Sequence, residues 1–86
     1  LALVVAEEVA AGQVLDTVRA ACGEALRDLQ LFDVYRGQGI DSGKKSLALG
    51  LIFQSASSTL TDTEIDEMVA GVVAAVGREL NGVLRT

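Results

Sequence analysis

Two stretches near the middle of the chain alternate with a period of two, LFDVYRG from Leu31 and KKSLALGLIF from Lys44, with a glycine-rich segment between them. In the second, Leu47, Leu49, Leu51 and Phe53 fall on one side, and Ser46, Ala48, Gly50 and Ile52 on the other. Alternation of that length predicts strands with one buried face, here Leu29–Arg36 and Lys45–Gln54. The loop GQGIDSGK between them is short and carries three glycines, which suits a hairpin. In the first strand the same rule sets Asp33 and Tyr35 together, opposite the bulky apolar residues. Leu1–Val5 reads as a shorter strand, with Ala2 and Val4 on its small-residue side.

Elsewhere the period lengthens to that of a helix. After AEEVAAGQ, residues Val14, Leu15, Val18, Cys22, Ala25 and Leu26 recur on one helical face, with Gly12 as a weak cap near the start. Gly23 falls inside this pattern and costs up to ~1 kcal/mol relative to Ala, so the last turn is expected to be loose. Following the polar SASSTLT segment, Thr61 and Glu64 form a capping box, and Asp62 adds negative charge at the helix start. Ile65, Met68, Val69, Val72, Val73, Val76 and Leu80 then trace an i, i+3, i+4, i+7 stripe that Asn81 and Gly82 stop. Val83, Leu84 and Arg85 read as the stub of a last strand. The order β-α-β-β-α-β, with right-handed crossovers, predicts an α+β ferredoxin-like sandwich: a four-stranded antiparallel sheet with both helices on one face. Nothing in the pattern covers the other face.

Composition narrows what this fold can do. At 86 residues one domain, 1–86, is expected, with an aliphatic core because only Phe32, Tyr35 and Phe53 are aromatic. No apolar run approaches the ~20 residues of a bilayer span, so no membrane partner is expected. The apolar first five residues lack a basic lead and run into Glu7 and Glu8, which argues against a signal peptide. Leu1 in place of an initiator Met leads us to expect an excerpt of a longer polypeptide. The absence of histidine removes histidine bases and ligands, and the single Cys22 excludes an internal disulfide or a CxxC site. One reduced thiol fits a cytoplasmic location. A net charge of −5 counts against a free-standing nucleic-acid binder, though not against one that a larger assembly positions on its RNA.

The glycine loop reads as a hairpin turn and not as a nucleotide site. Gln38 stands where a Walker A glycine belongs, a strand rather than a helix follows the lysine, and Ser42 replaces the third glycine of a dinucleotide motif. Tyr35 has two readings, a cover for its neighbours or a stacking platform for a planar base. Ser46 and Ala48 are too small to bury its ring, and Arg36, Lys44 and Lys45 gather at the hairpin beside it; both are points for the platform, but the pattern alone leaves the covering role, the usual one for a lone surface tyrosine, open beside it. Asp33, two residues before it, could accept a hydrogen bond from a base amino group. Glu7/Glu8 and Asp66/Glu67 read as solvated surface, Cys22 and Met68 as core.

Three motifs in order, LFDVYRG, GKKSLAL and TLTDTEI, resemble the ferredoxin-fold anticodon-binding domain that ends the beta subunit of bacterial phenylalanyl-tRNA synthetase. The likeness extends over essentially the whole chain. It implies that the open sheet face packs on the anticodon loop of phenylalanine tRNA, Tyr35 stacking on a base with Ser46 beside it, and Asp33 and Ala2 lining the same surface. It further implies a parent ligase that uses ATP and magnesium on other domains, as an alpha2-beta2 heterotetramer in the cytoplasm; this chain would itself have no catalysis, no cofactor and no DNA partner. The chain departs from the family pattern at Ser58, where a basic residue is usual, and at Gly50, where a larger side chain is common; the Arg-Asp pair that normally precedes the first strand is missing. An ACT-type ligand-binding or oligomerising module is the alternative use of the same open face, and a structural appendage without ligand a third.

Overall fold

A computed structural model describes residues 1–53 and 61–85. Gln54, Ser58 and the rest of the polar approach to the second helix lie outside the described residues. The elements are β1 (Ala2–Ala6), α1 (Ala11–Cys22), a 3-10 turn (Gly23–Ala25), β2 (Leu26–Tyr35), β3 (Lys44–Phe53), α2 (Asp62–Leu80) and β4 (Val83–Leu84). The four strands form one sheet in the order β2-β3-β1-β4, with every neighbouring pair antiparallel, as the ferredoxin-like expectation requires. Leu3, Val5, Leu29, Leu47 and Leu49 of the sheet pack against Val14 and Val18 of α1 and Val72 and Val76 of α2. Both helices therefore cover one face, and the core is aliphatic because no aromatic ring belongs to its buried set.

The α2 start follows its local chemistry. The Thr61 hydroxyl accepts from the Glu64 N–H at 3.1 Å while the Glu64 carboxylate reaches back to the Thr61 N–H at 3.4 Å. At the other end Asn81 takes the left-handed conformation (φ 54°, ψ 27°) and stops the helix. The start of α1 corrects the expectation of a Gly12 cap. Ala10 is the cap residue, and its N–H is satisfied at 2.8 Å by the Gln13 side-chain oxygen, which leaves Gly12 within the first turn.

Gly23 also behaves differently from the expectation. It does not loosen a turn but ends α1, at φ 62° and ψ −141°, which a side chain resists. Ala25 and Leu26 consequently leave the helix, and Leu26 opens β2 three residues before the expected start. Leu1 stands just outside β1, yet it exchanges two hydrogen bonds with Leu49, at 2.7 and 3.1 Å.

The largest correction concerns β2. Unbroken alternation in LFDVYRG sets Phe32 beside Val34, on the helix side. Instead the register jumps between Leu31, opposite Leu49, and Asp33, opposite Ala48, leaving Phe32 as an extra residue in a bulge. Leu29, Leu31 and Val34 pair with core-facing β3 residues, whereas Phe32, Asp33 and Tyr35 go to the open face. Tyr35 and Asp33 keep the positions expected of them; Phe32 and Leu31 exchange theirs.

Candidate nucleic-acid interface

The register builds the open face in rows. Tyr35 lies across from Ser46, Ser46 from Val4, and Val4 from Val83. One step along, Asp33 lies across from Ala48 and Ala48 from Ala2, and the Arg85 N–H donates to the Ala2 carbonyl at 2.9 Å. Tyr35, Asp33, Ser46 and Ala2 are thus brought together on one surface, as the sequence leads one to expect. Neither helix packs on this side.

Tyr35 is not an unattended ring. It is 38% exposed, its hydroxyl donates to the Gln38 carbonyl at 2.8 Å, and the Arg85 guanidinium carbon lies 5.3 Å from the ring centroid. The guanidinium also approaches the hairpin loop, 3.5 Å from where a Cβ on Gly39 would stand. Ser46, between Tyr35 and Val4, is only 4% exposed. The expected small neighbour thus forms a low floor between flanking side chains instead of an accessible hydroxyl. Asp33 is exposed, and one of its carboxylate oxygens accepts from the Val34 N–H at 2.9 Å.

The three expected basic residues separate. Lys44 is exposed and, paired with Ala6, belongs to the open face. Lys45 pairs with Val5 on the helix side, is 7% exposed, and spends its ammonium on the Glu7 carbonyl at 3.1 Å. Arg36 holds the Glu7 carboxylate by three contacts of 2.7 to 2.8 Å. The cation that does reach Tyr35 is Arg85, at the end of the strand stub that follows α2. Alternation from Val83 would have placed Arg85 on the open face, but not beside a residue three strands further on.

The Arg36 hydrogen bond holds the Glu7 carboxyl below the usual carboxylate range, and the same bond raises the guanidinium further. A carboxylate whose folded-state pKa is depressed stabilises the fold above its unfolded pKa, and that contribution is lost as pH falls through the folded one. The pair is exposed, so the effect is small. Glu7→Gln is expected to melt slightly below the parent chain at neutral pH. The two melting curves should converge in acid; a gap that widens as pH falls would show the pair is not its source.

A family model for the ferredoxin-fold anticodon binding domain matches residues 1–85. The chain is 47% identical over 85 residues to the phenylalanine–tRNA ligase beta subunit of Pseudomonas fluorescens (strain Pf0-1), covering 99% of this chain and 11% of that protein. It is 49% identical over 86 residues to the protein of that name from Xanthomonas axonopodis pv. citri, covering 100% and 11%. It is 49% identical over 85 residues to that of Colwellia psychrerythraea, covering 99% and 10%. The chain therefore spans about a tenth of the length of these curated relatives.

Proposed function

Because the chain belongs to the family of ferredoxin-fold anticodon-binding domains, we propose that its open sheet face receives the anticodon loop of phenylalanine tRNA. The chain would be the anticodon-holding tenth of a phenylalanine–tRNA ligase beta subunit. The ligase joins phenylalanine to its tRNA with ATP and magnesium on other domains, as a cytoplasmic alpha2-beta2 enzyme. This domain holds the far end of the tRNA in register and takes no part in the chemistry. Family membership favours this use of the face over an ACT-type regulatory module.

The observation that carries the reading is the half-covered Tyr35 ring on a helix-free face, with a guanidinium beside it and small residues along its rows. A base stacked on an aromatic ring gains about 1–3 kcal/mol. An exposed cation–π contact such as that of Arg85 is worth about 0.5–1 kcal/mol. The stack is the stronger of the two, so a base can take the ring face from the guanidinium, which then lies over the base or on a neighbouring phosphate. Asp33 has a second carboxylate oxygen to offer an exocyclic amine. Ser46 and Ala2 support the stacked base from below.

The disposition of the cations makes the salt dependence shallow. With Arg36 held by Glu7 and Lys45 turned inward, Lys44 and Arg85 are the phosphate contacts that the register and the ring contact place around Tyr35. Two contacts at ~0.7 each give a slope of about −1.4 in log K against log salt. A slope steeper than about −3 would require partners beyond these two.

The decisive experiment titrates the isotopically labelled chain with the phenylalanine anticodon hairpin and with an unrelated hairpin on the same stem. Shifts at Tyr35, Ser46 and Asp33 with the first, larger than with the second, support the proposal. Equal responses to both hairpins, or shifts confined to the helices, remove it.

A further inference from the structure

We infer that Phe32 is a second stacking platform, receiving a base of the loop next to the one on Tyr35; this rests on the anticodon-loop reading above. An apolar ring normally gains by entering the core. Here the bulge at Leu31/Asp33 turns Phe32 out, and it is 68% exposed. The ring does not project freely. Its far edge occupies the space above Gly50, with Cε2 and Cζ 2.4 and 2.5 Å from where a Cβ would stand. Gly50 lies on the open face, two residues along β3 from Ala48, which is opposite Asp33. A glycine in a sheet interior offers no side chain to pack, and a close approach by another group is one of the reasons such a position is found. The bulge and the glycine together lay an aromatic ring across the wall, its outward surface in solvent, one step from Asp33 and on the same side as Tyr35.

A nucleobase is the occupant that this arrangement fits. The ring continues the surface that holds Tyr35, Asp33 and Arg85, and the cations on that face, Arg85 and Lys44, complement a phosphodiester backbone. Every base has a π-face, so an aromatic ring serves whichever base lies next in the loop.

Two variants test the inference without emptying the core. Phe32→Leu keeps an apolar cover over Gly50 but removes the π surface. Gly50→Ala keeps the ring but puts a Cβ where its far edge now lies, so the ring must swing away. In titrations of the 86-residue chain with the phenylalanine anticodon hairpin, each variant should bind about fivefold more weakly or worse, the factor matching the ~1 kcal/mol lower bound of a base stack. The double variant should be no weaker than Phe32→Leu alone, because both changes act through one ring. Melting curves serve as the folding control, and Phe32→Trp should restore binding.

A Phe32→Leu titration that superimposes on the parent, while Tyr35→Ala still loses affinity, overturns the inference and leaves the anticodon-loop reading standing. Unchanged binding together with a change in oligomeric mass by light scattering also overturns it, assigning the ring to contact between copies. A parent chain that ignores the hairpin removes the underlying reading and this inference with it.

Discussion

Gly82→Ala is expected to cost about 1–3 kcal/mol of folding stability, the range for forcing an extra carbon into a packed interior. Gly82 sits where α2 turns into β4, directly after the left-handed Asn81, with its N–H on the Val76 carbonyl at 3.2 Å. A Cβ there would stand 2.4 Å from a Val76 methyl and 2.9 Å from a Val5 methyl, with the Val4 carbonyl oxygen at 3.4 Å. Val5 and Val76 are core residues whose β-branched side chains have little rotamer freedom, so relief must come from moving the end of α2 or β1. In a domain of this size each kcal/mol shifts the melting temperature by about 4–8 °C, so a drop of roughly 5–20 °C is expected. Gly71→Ala provides the contrast. Gly71 lies inside α2, and a Cβ there would meet nothing within 4 Å. Replacing it should leave stability unchanged or raise it by about 0.5–1 kcal/mol through helix propensity. Equal melting temperatures for Gly82→Ala and the parent would mean that the α2–β4 corner is slack.

Tyr35→Ala is expected to weaken binding of the phenylalanine anticodon hairpin between fivefold and about a hundredfold, the worth of one base stack. The fold should survive. The ring lies on the open face and outside the buried core, and its hydroxyl bonds to the carbonyl of an exposed loop residue. The loss of the Arg85 contact removes about 0.5–1 kcal/mol at most. Tyr35→Phe separates the two functions of the side chain: it removes the Gln38 bond but keeps the ring, and should bind within about twofold of the parent. An alanine variant whose titration matches the parent would take Tyr35 out of the interface. A phenylalanine variant as weak as alanine would show that the hydroxyl, and the loop it anchors, matters more than the stack.

The two experiments probe different kinds of information in the chain. The role of Gly82 as a helix stop is readable locally, because asparagine and glycine after an apolar stripe end a helix wherever they occur. Its second role, as the gap into which Val5 and Val76 project, depends on a strand nearly eighty residues earlier and has no local mark. Tyr35 is the reverse case. Its face follows from counting back along Val34 and Asp33, and it survives the bulge because the extra residue is inserted before Asp33. Phe32, one position earlier, is misplaced by the same count.

Sequence alone determined the order of elements, the capping box at Thr61, the apolar faces of both helices, the helix-free side of the sheet and the family likeness. Each depends on residues within a few positions of one another, or on motifs in order. Only the tertiary structure decided that Phe32 faces outward, that Arg85 and not Arg36 or Lys45 accompanies Tyr35, and that Ser46 is a floor rather than a free hydroxyl. Those outcomes turn on which backbone atoms pair across strands and where one residue is left over. A period of two cannot record them, because it assumes that none is.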